Sequence, residues 1–228
     1  GKENYVWQIT FAISTRMLGA MFAIHSDEKG LVLPPKVAPI QVVIVPILFD
    51  DTREKILKEA DRIKEELEKN NILVHLDNSD NKPGWKFNNW ELKGIPIRIE
   101  LGPRDLENKK LVLARRDTKE KETVDIKDIT KRIPELLNQI QNALLKKSEK
   151  AIKEAITKAK TLEETKKAVE NKKIALAPFC KESECEELLK SKTSAKTLWI
   201  EEKEHIKQEK CIVCDKQADY FVYIGKTY

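Results

Sequence analysis

The sequence predicts an α/β fold: a mixed five-stranded sheet with flanking helices, followed by a small α+β domain that binds zinc. Three observations carry this. Gln41-Val42-Val43-Ile44-Val45-Pro46-Ile47 is a nearly continuous apolar, β-branched run, the pattern of a strand buried on both faces. Ile95, Ile97, Ile99 and Leu101 alternate with Pro96, Arg98 and Glu100, the pattern of a strand with one face in the core. The four cysteines occur as Cys180-x4-Cys185 and Cys211-x2-Cys214, two short-spaced pairs of the kind that close on one tetrahedral metal.

Along the chain, Tyr5 to Ile13 and Met17 to Ile24 are short apolar segments on either side of Ser14-Thr15-Arg16, and Pro34-Pro35 marks a boundary. After the strand at 41–47, Asp51-Thr52-Arg53-Glu54 has the form of a capping box, and Ile56, Ala60, Ile63 and Leu67 give helical spacing up to Asn70-Asn71. Ile72 to Leu76 is a second strand. Gly84 to Gly94 is a short helix closed by glycine. The alternating strand 95–101, a strand over Leu111 to Arg116 and a short one around Glu122 to Val124 complete five. A long helix follows from Ile126, with Pro134 expected to kink or restart it. From Ser148 a Lys/Glu/Ala-rich helical stretch runs on and breaks at Thr161-Leu162-Glu163-Glu164, a second capping box. Lys173–Phe179, Lys196–Ile200 and Tyr220–Ile224 are the strands of the small domain. The lysines between Lys146 and Lys173 alternate with glutamates at helical spacing, so they read as a solvated helix rather than an RNA patch.

Charged residues make up 36% of the chain and hydrophobic ones 40%, which suits a globular protein with long surface helices. No apolar run approaches the ~20 residues of a membrane span. A formal charge of +5 permits a nucleic-acid partner without requiring one. The start, Gly1-Lys2-Glu3, has neither an initiator Met nor a signal-peptide pattern and reads as the cut edge of a larger chain. With no further cysteine, four thiolates would leave no open coordination position, so the metal would be structural. Two disulfides, or four unrelated thiols, are the alternatives. His205 lies among charged residues, six positions before Cys211, and is a poor substitute ligand.

Strand alternation sends Arg98 and Glu100 to the face opposite the main core. A carboxylate and a guanidinium together match guanine, whose N1–H and N2–H2 donate while O6 and N7 accept; a simple surface ion pair is the alternative. Trp85, Phe87 and Trp90 either stack bases or pack their helix onto the sheet.

Three segments, in order, resemble the C-terminal half of the prolyl-tRNA synthetases of the archaeal and eukaryotic-like type. Trp7-Gln8-Ile9-Thr10-Phe11-Ala12-Ile13-Ser14-Thr15-Arg16, with His25-Ser26-Asp27 and Gly30 to Pro35, is similar to the motif 3 strand and helix of a class II catalytic core. Pro83-Gly84-Trp85-Lys86-Phe87 through Trp90-Glu91-Leu92-Lys93-Gly94 to Gly102-Pro103-Arg104-Asp105 is similar to the anticodon-binding domain of this class. The four-cysteine domain with its aromatic end is an appendage of the prolyl subtype. The resemblance divides the chain into the end of a class II catalytic core (1–37), an anticodon-binding domain (38–147) and a zinc-binding domain (148–228).

The resemblance implies a ligase that activates proline with ATP and magnesium and transfers it to tRNA(Pro), working as a cytoplasmic homodimer. Motifs 1 and 2 lie upstream in the family, so the chain reads as part of that enzyme. By the same likeness Arg16 contacts the ATP γ-phosphate, and Phe11 and Ser14 floor the prolyl-adenylate pocket. Ala12 stands where the family has glycine. Glu91, Arg98 and Asp105 sit at the anticodon-reading positions, beside Glu100, with Arg104, Arg115 and Arg116 as further base or phosphate contacts. Tyr228 is expected to tuck toward residues 5–37. The rival reading is a non-catalytic, synthetase-like RNA-binding module.

Overall fold

The computed structural model describes residues 3–201, 206 and 208–227. His205 and Tyr228 therefore lie outside the described residues. The chain divides into two compact units, Gly1–Lys146 and Lys147–Tyr228.

In the first unit, residues 3–14 form neither helix nor strand, and Tyr5, Trp7, Ile9, Phe11 and Ile13 are exposed. The strand expected here is not formed. A strand needs neighbouring N–H and C=O partners, and among the described residues none pairs with this segment. Helix α1 (Arg16–His25) follows, then β1 (Val42–Pro46), α2 (Arg53–Lys69), β2 (Val74–Leu76), α3 (Pro83–Leu92), β3 (Ile97–Leu101), α4 (Pro103–Glu107), β4 (Lys110–Arg115), β5 (Lys121–Asp125) and α5 (Ile129–Ala155).

The sheet runs β2-β1-β3-β4-β5. Strands β1, β2 and β3 are parallel, whereas β3–β4 and β4–β5 are antiparallel hairpin-like pairs. All five residues of β1 are buried, as its unbroken apolar run requires. Its alternate side chains enter different cores. Val42 and Ile44 join Ile56, Ile63 and Leu67 of α2 and Ile129, Ile133 and Ile140 of α5. Val43 and Val45 meet Trp90 and Phe87 of α3. Each of these buried aliphatic side chains contributes roughly 1.5–3 kcal/mol, so the two-sided covering fixes the register firmly.

Local capping agrees with the sequence in one place and not in another. Thr161 caps α6 (Leu162–Glu170): the Glu164 N–H donates to Thr161 Oγ1 at 3.2 Å, while Glu164 Oε2 accepts from the Lys160 N–H at 2.7 Å. At α2 the expected box does not form, because the Thr52 hydroxyl donates back to the Phe49 carbonyl at 3.4 Å. Pro134 sits inside α5 without ending it. A short 3-10 turn, Ile126–Asp128, starts the coil early, so the proline lies beyond the first turn and removes one intrahelical hydrogen bond without breaking the helix.

The second sheet runs β6-β7-β9-β8, from β6 (Ile156–Lys158), β7 (Ile174–Phe179), β8 (Lys196–Glu201) and β9 (Tyr220–Gly225). Strand β6 corrects the expectation of unbroken helix up to Thr161. β-branched Ile156 and Thr157 pair in parallel with Ile174 and Ala175, and this tertiary pairing overrides the helix-forming neighbours. Helix α7 (Ser183–Thr193) was not foreseen either, and it places Cys185 in a first helical turn rather than a loop.

Candidate RNA-reading pocket and four-cysteine centre

The C-terminal end of α3 and the edges of β3 and β4 enclose a cavity of about 230 Å3, lined by Lys29, Glu91, Arg98, Arg115, Arg116, Lys119 and Lys121 among others. The aromatic helix makes its floor rigid. Trp90 is buried, and its indole N–H donates to Asp77 Oδ2 at 2.6 Å. The fully buried Lys86 amine donates to the Asp77 carbonyl at 2.9 Å. Burial opposes the Asp77 charge, but hydrogen bonds from Ser79 and Trp90 and the Lys86 cation bring its pKa below the usual carboxylate value. Phe87 packs on the same core and lies under the Arg98 guanidinium at 4.3 Å. Phe87 and Trp90 thus hold the helix down, whereas Trp85 is exposed.

Glu100 is buried on the α3 side of β3, accepting from Arg98 at 2.8 Å and from Lys121 at 2.8 Å. Arg115 pairs with Asp117 at 2.8 Å, and that hydrogen bond raises the arginine's pKa. Glu91 faces Lys29 at 3.4 Å. Glu91, Arg98 and Arg115 therefore line one pocket, with Glu100 behind two of its cations. Arg104 and Asp105 lie on α4 and do not line it. Asp105 accepts from the Gly102 N–H at 2.9 Å and so caps its own helix.

Arg116 is nearly inaccessible. Its guanidinium grips Asp27 bidentately at 2.6 and 2.9 Å, and its Nε donates to the Glu91 carbonyl at 2.8 Å. The Arg116 hydrogen bond holds the Asp27 carboxyl far below its usual range, against the opposing effect of burial. The sequence singled out Arg116 but not its partner, and not Lys29, Lys119 or Lys121. Nothing local distinguishes these lysines from many others; only the folded arrangement brings them to the pocket. Phe11, Ser14 and Arg16 are exposed, and the structure brings them to no cavity with the residues above.

In the second unit, Cys180 follows β7 and Cys185 sits in the first turn of α7. Cys211 and Cys214 lie on a knuckle-like turn in which the Cys211 N–H donates to the Lys216 carbonyl at 2.8 Å and the Asp215 N–H to the Cys211 carbonyl at 3.1 Å. The four sulfurs lie within 4.8 Å of one another, and Cys180 Sγ is 3.9 Å from Cys214 Sγ. Four sulfurs about 2.3 Å from a tetrahedral zinc stand about 3.8 Å apart, so the donor set fits that ion. All four thiols are free. Burial pushes the Cys180 and Cys185 thiols up. It acts the same way on Cys211, but backbone N–H groups outweigh it and bring that thiol down. Four thiolates this close need a dication among them to ionise together.

The first unit thus carries a cation-lined pocket on its mixed sheet, and the second carries a compact four-thiol cluster compatible with a zinc ion. Residues 41–136 match the family described as "Anticodon binding domain", and residues 162–228 match "Prolyl-tRNA synthetase, C-terminal". The whole chain is 43% identical to the proline--tRNA ligase of Pyrococcus abyssi and 44% identical to a proline--tRNA ligase 2 of Bacillus thuringiensis, covering 48% of each relative. The crystal structure of prolyl-tRNA synthetase from Cryptosporidium parvum complexed with halofuginone and AMPPNP superposes with a TM-score of 0.89 at 39% identity, over 94% of this chain and 45% of that one. The complex of the same enzyme with L-proline and AMP gives 0.87 at 38% identity. The likeness is to the C-terminal half of prolyl-tRNA synthetases, and the chain spans about half the length of the curated relatives it matches. Among the described residues no helix is long and apolar enough to cross a membrane.

Proposed function

We propose that this chain supplies anticodon recognition and a structural zinc domain to a cytoplasmic prolyl-tRNA synthetase, which activates proline with ATP and magnesium and transfers it to tRNA(Pro) as a homodimer. The observation that carries this is the Glu91–Arg98–Arg115 pocket within a domain that matches anticodon-binding domains. A Glu91 carboxylate accepts from the N1–H and N2–H2 groups of guanine, and Arg98, held over Phe87, donates to O6 or N7. Residues 38–147 are the reading domain and 148–228 the metal-stapled one. Arg16 is assigned to the ATP γ-phosphate, beside Phe11 and Ser14, where its charge would offset developing anionic charge. Zinc bound by Cys180, Cys185, Cys211 and Cys214 supplies cross-linking rather than chemistry, since four protein thiolates leave no position for substrate.

The test is binding of RNA hairpins that display a loop guanine pair, against the same hairpins with adenine substituted. Glu91→Gln and Arg98→Ala should each lose about 1–3 kcal/mol on the guanine hairpin and much less on the adenine one. Equal losses on both would reduce these residues to general phosphate contacts. Arg104→Ala, outside the pocket, should weaken both hairpins alike.

A further inference from the structure

The turn Asp27–Gly30 is built into the pocket more firmly than a loop between two regions requires. Asp27 and Gly30 bond each other's backbones in both directions at 3.1 Å, and the Asp27 carboxylate also accepts from the Lys29 N–H at 2.9 Å. Arg116 clamps Asp27 and the Glu91 carbonyl together. The Leu31 N–H donates to the Leu92 carbonyl at 3.0 Å. Lys29 is therefore presented to Glu91 from a fixed support, while its side chain remains 49% exposed and able to swing.

The pairing around the pocket is uneven. Arg98 and Lys121 share the buried Glu100, and Arg115 holds the buried Asp117, so these cations are anchored from behind. Lys119 pairs with Asp27 and Glu28 on the turn itself. Lys29 differs: its partner is Glu91, the carboxylate on the accessible side that faces an incoming base.

We infer that Lys29 is a specificity-determining residue that works by counter-ion exchange: a guanine edge takes Glu91 from Lys29, and the released ammonium takes the phosphate that accompanies the base. This rests on the base-reading role proposed for Glu91. The exchange balances charge. Glu91 trades an ammonium for two N–H donors, and Lys29 trades a carboxylate for a phosphate oxygen. Adenine presents an acceptor, N1, where guanine presents a donor, so Glu91 keeps Lys29 and the phosphate stays unpaired. Discrimination then involves one more protein–phosphate contact with the correct base than with the wrong one, and each such contact on single-stranded nucleic acid steepens the salt dependence of log K by about 0.7.

The experiment measures affinity against salt concentration for the guanine hairpin and its adenine counterpart, with the chain as it stands and with Lys29→Met and Lys29→Arg. The unsubstituted chain should show a slope steeper by about 0.7 for the guanine hairpin. Lys29→Met should remove that difference, and Lys29→Arg should keep it. Discrimination with equal slopes, or a slope difference that survives Lys29→Met, overturns the exchange and leaves Glu91 as a base reader. Failure of the unsubstituted chain to distinguish the two hairpins overturns both the exchange and the base-reading proposal.

Discussion

The two units are stabilised by different means. The first packs long aliphatic side chains from α2, α5 and both faces of β1 into a large core. The second buries mostly small ones: alanines at 159, 168, 175, 177 and 195, together with Cys180, Cys185 and Cys211. Small side chains remove little apolar area from water, and a domain of this size built from them has little margin over its chain entropy. The thiols therefore sit where the first unit would place leucines. One unit rests on burial and the other, on the zinc reading proposed above, on coordination, and perturbations should separate them.

Metal removal gives the largest separation. Chelation, or Cys211→Ser, is expected to unfold residues 147–228 while the first unit keeps its amide-exchange protection, since zinc contributes about 10 kcal/mol or more to small domains of this kind. Residual exchange protection of β7 and β9 in metal-free protein would show the alanine core to be sufficient. The converse substitution is Ile99→Ala. Ile99 is fully buried between one parallel and one antiparallel neighbour, and its truncation should cost the first unit about 2–5 kcal/mol in denaturant unfolding with the metal content unchanged.

Acid acts on the first unit through Asp27. Its carboxyl titrates below the unfolded value of about 3.9, so its stabilisation is present above that pH and fades as pH falls below it. In Asp27→Asn this acid-dependent part of the unfolding profile should disappear, because the buried Arg116 has already lost its charged partner. The smallest effect is local to the second unit. Thr161→Ala removes the α6 cap and should lower stability by about 1 kcal/mol, with no change in RNA binding.

Much of the first unit was legible because its signals are regional. The unbroken run of β1 and the alternation of β3 mark burial on two faces and on one face. The alternation also placed Arg98 and Glu100 on the same side, though not the covering by α3 that makes Glu100 a buried counter-ion. Three-residue β6 was illegible, since Ile156-Thr157-Lys158 reads as helix until Ile174 offers it an edge. The cysteine spacing indicated four thiols that the fold does bring together, but not that Cys185 arrives on a helix. For the pocket, Glu91 and Arg98 stood out through the pattern around them. Lys29 could not, because its place follows from a guanidinium at Arg116, far away in sequence.

Gly30 and Gly94 both have positive φ and face the opposing backbone. A Cβ on Gly30 would meet the Leu92 carbonyl oxygen at 2.5 Å, and one on Gly94 would meet the Leu31 carbonyl at the same distance. The close approach of the Lys29 turn to the end of α3 thus depends on two hydrogen atoms on uncharged residues. Exchanging either glycine for alanine would alter no ion pair directly, yet it would wedge the turn that bears Lys29 away from α3. Natural variation at these two sites would change how closely that turn approaches α3 while every charged residue of the pocket stayed the same.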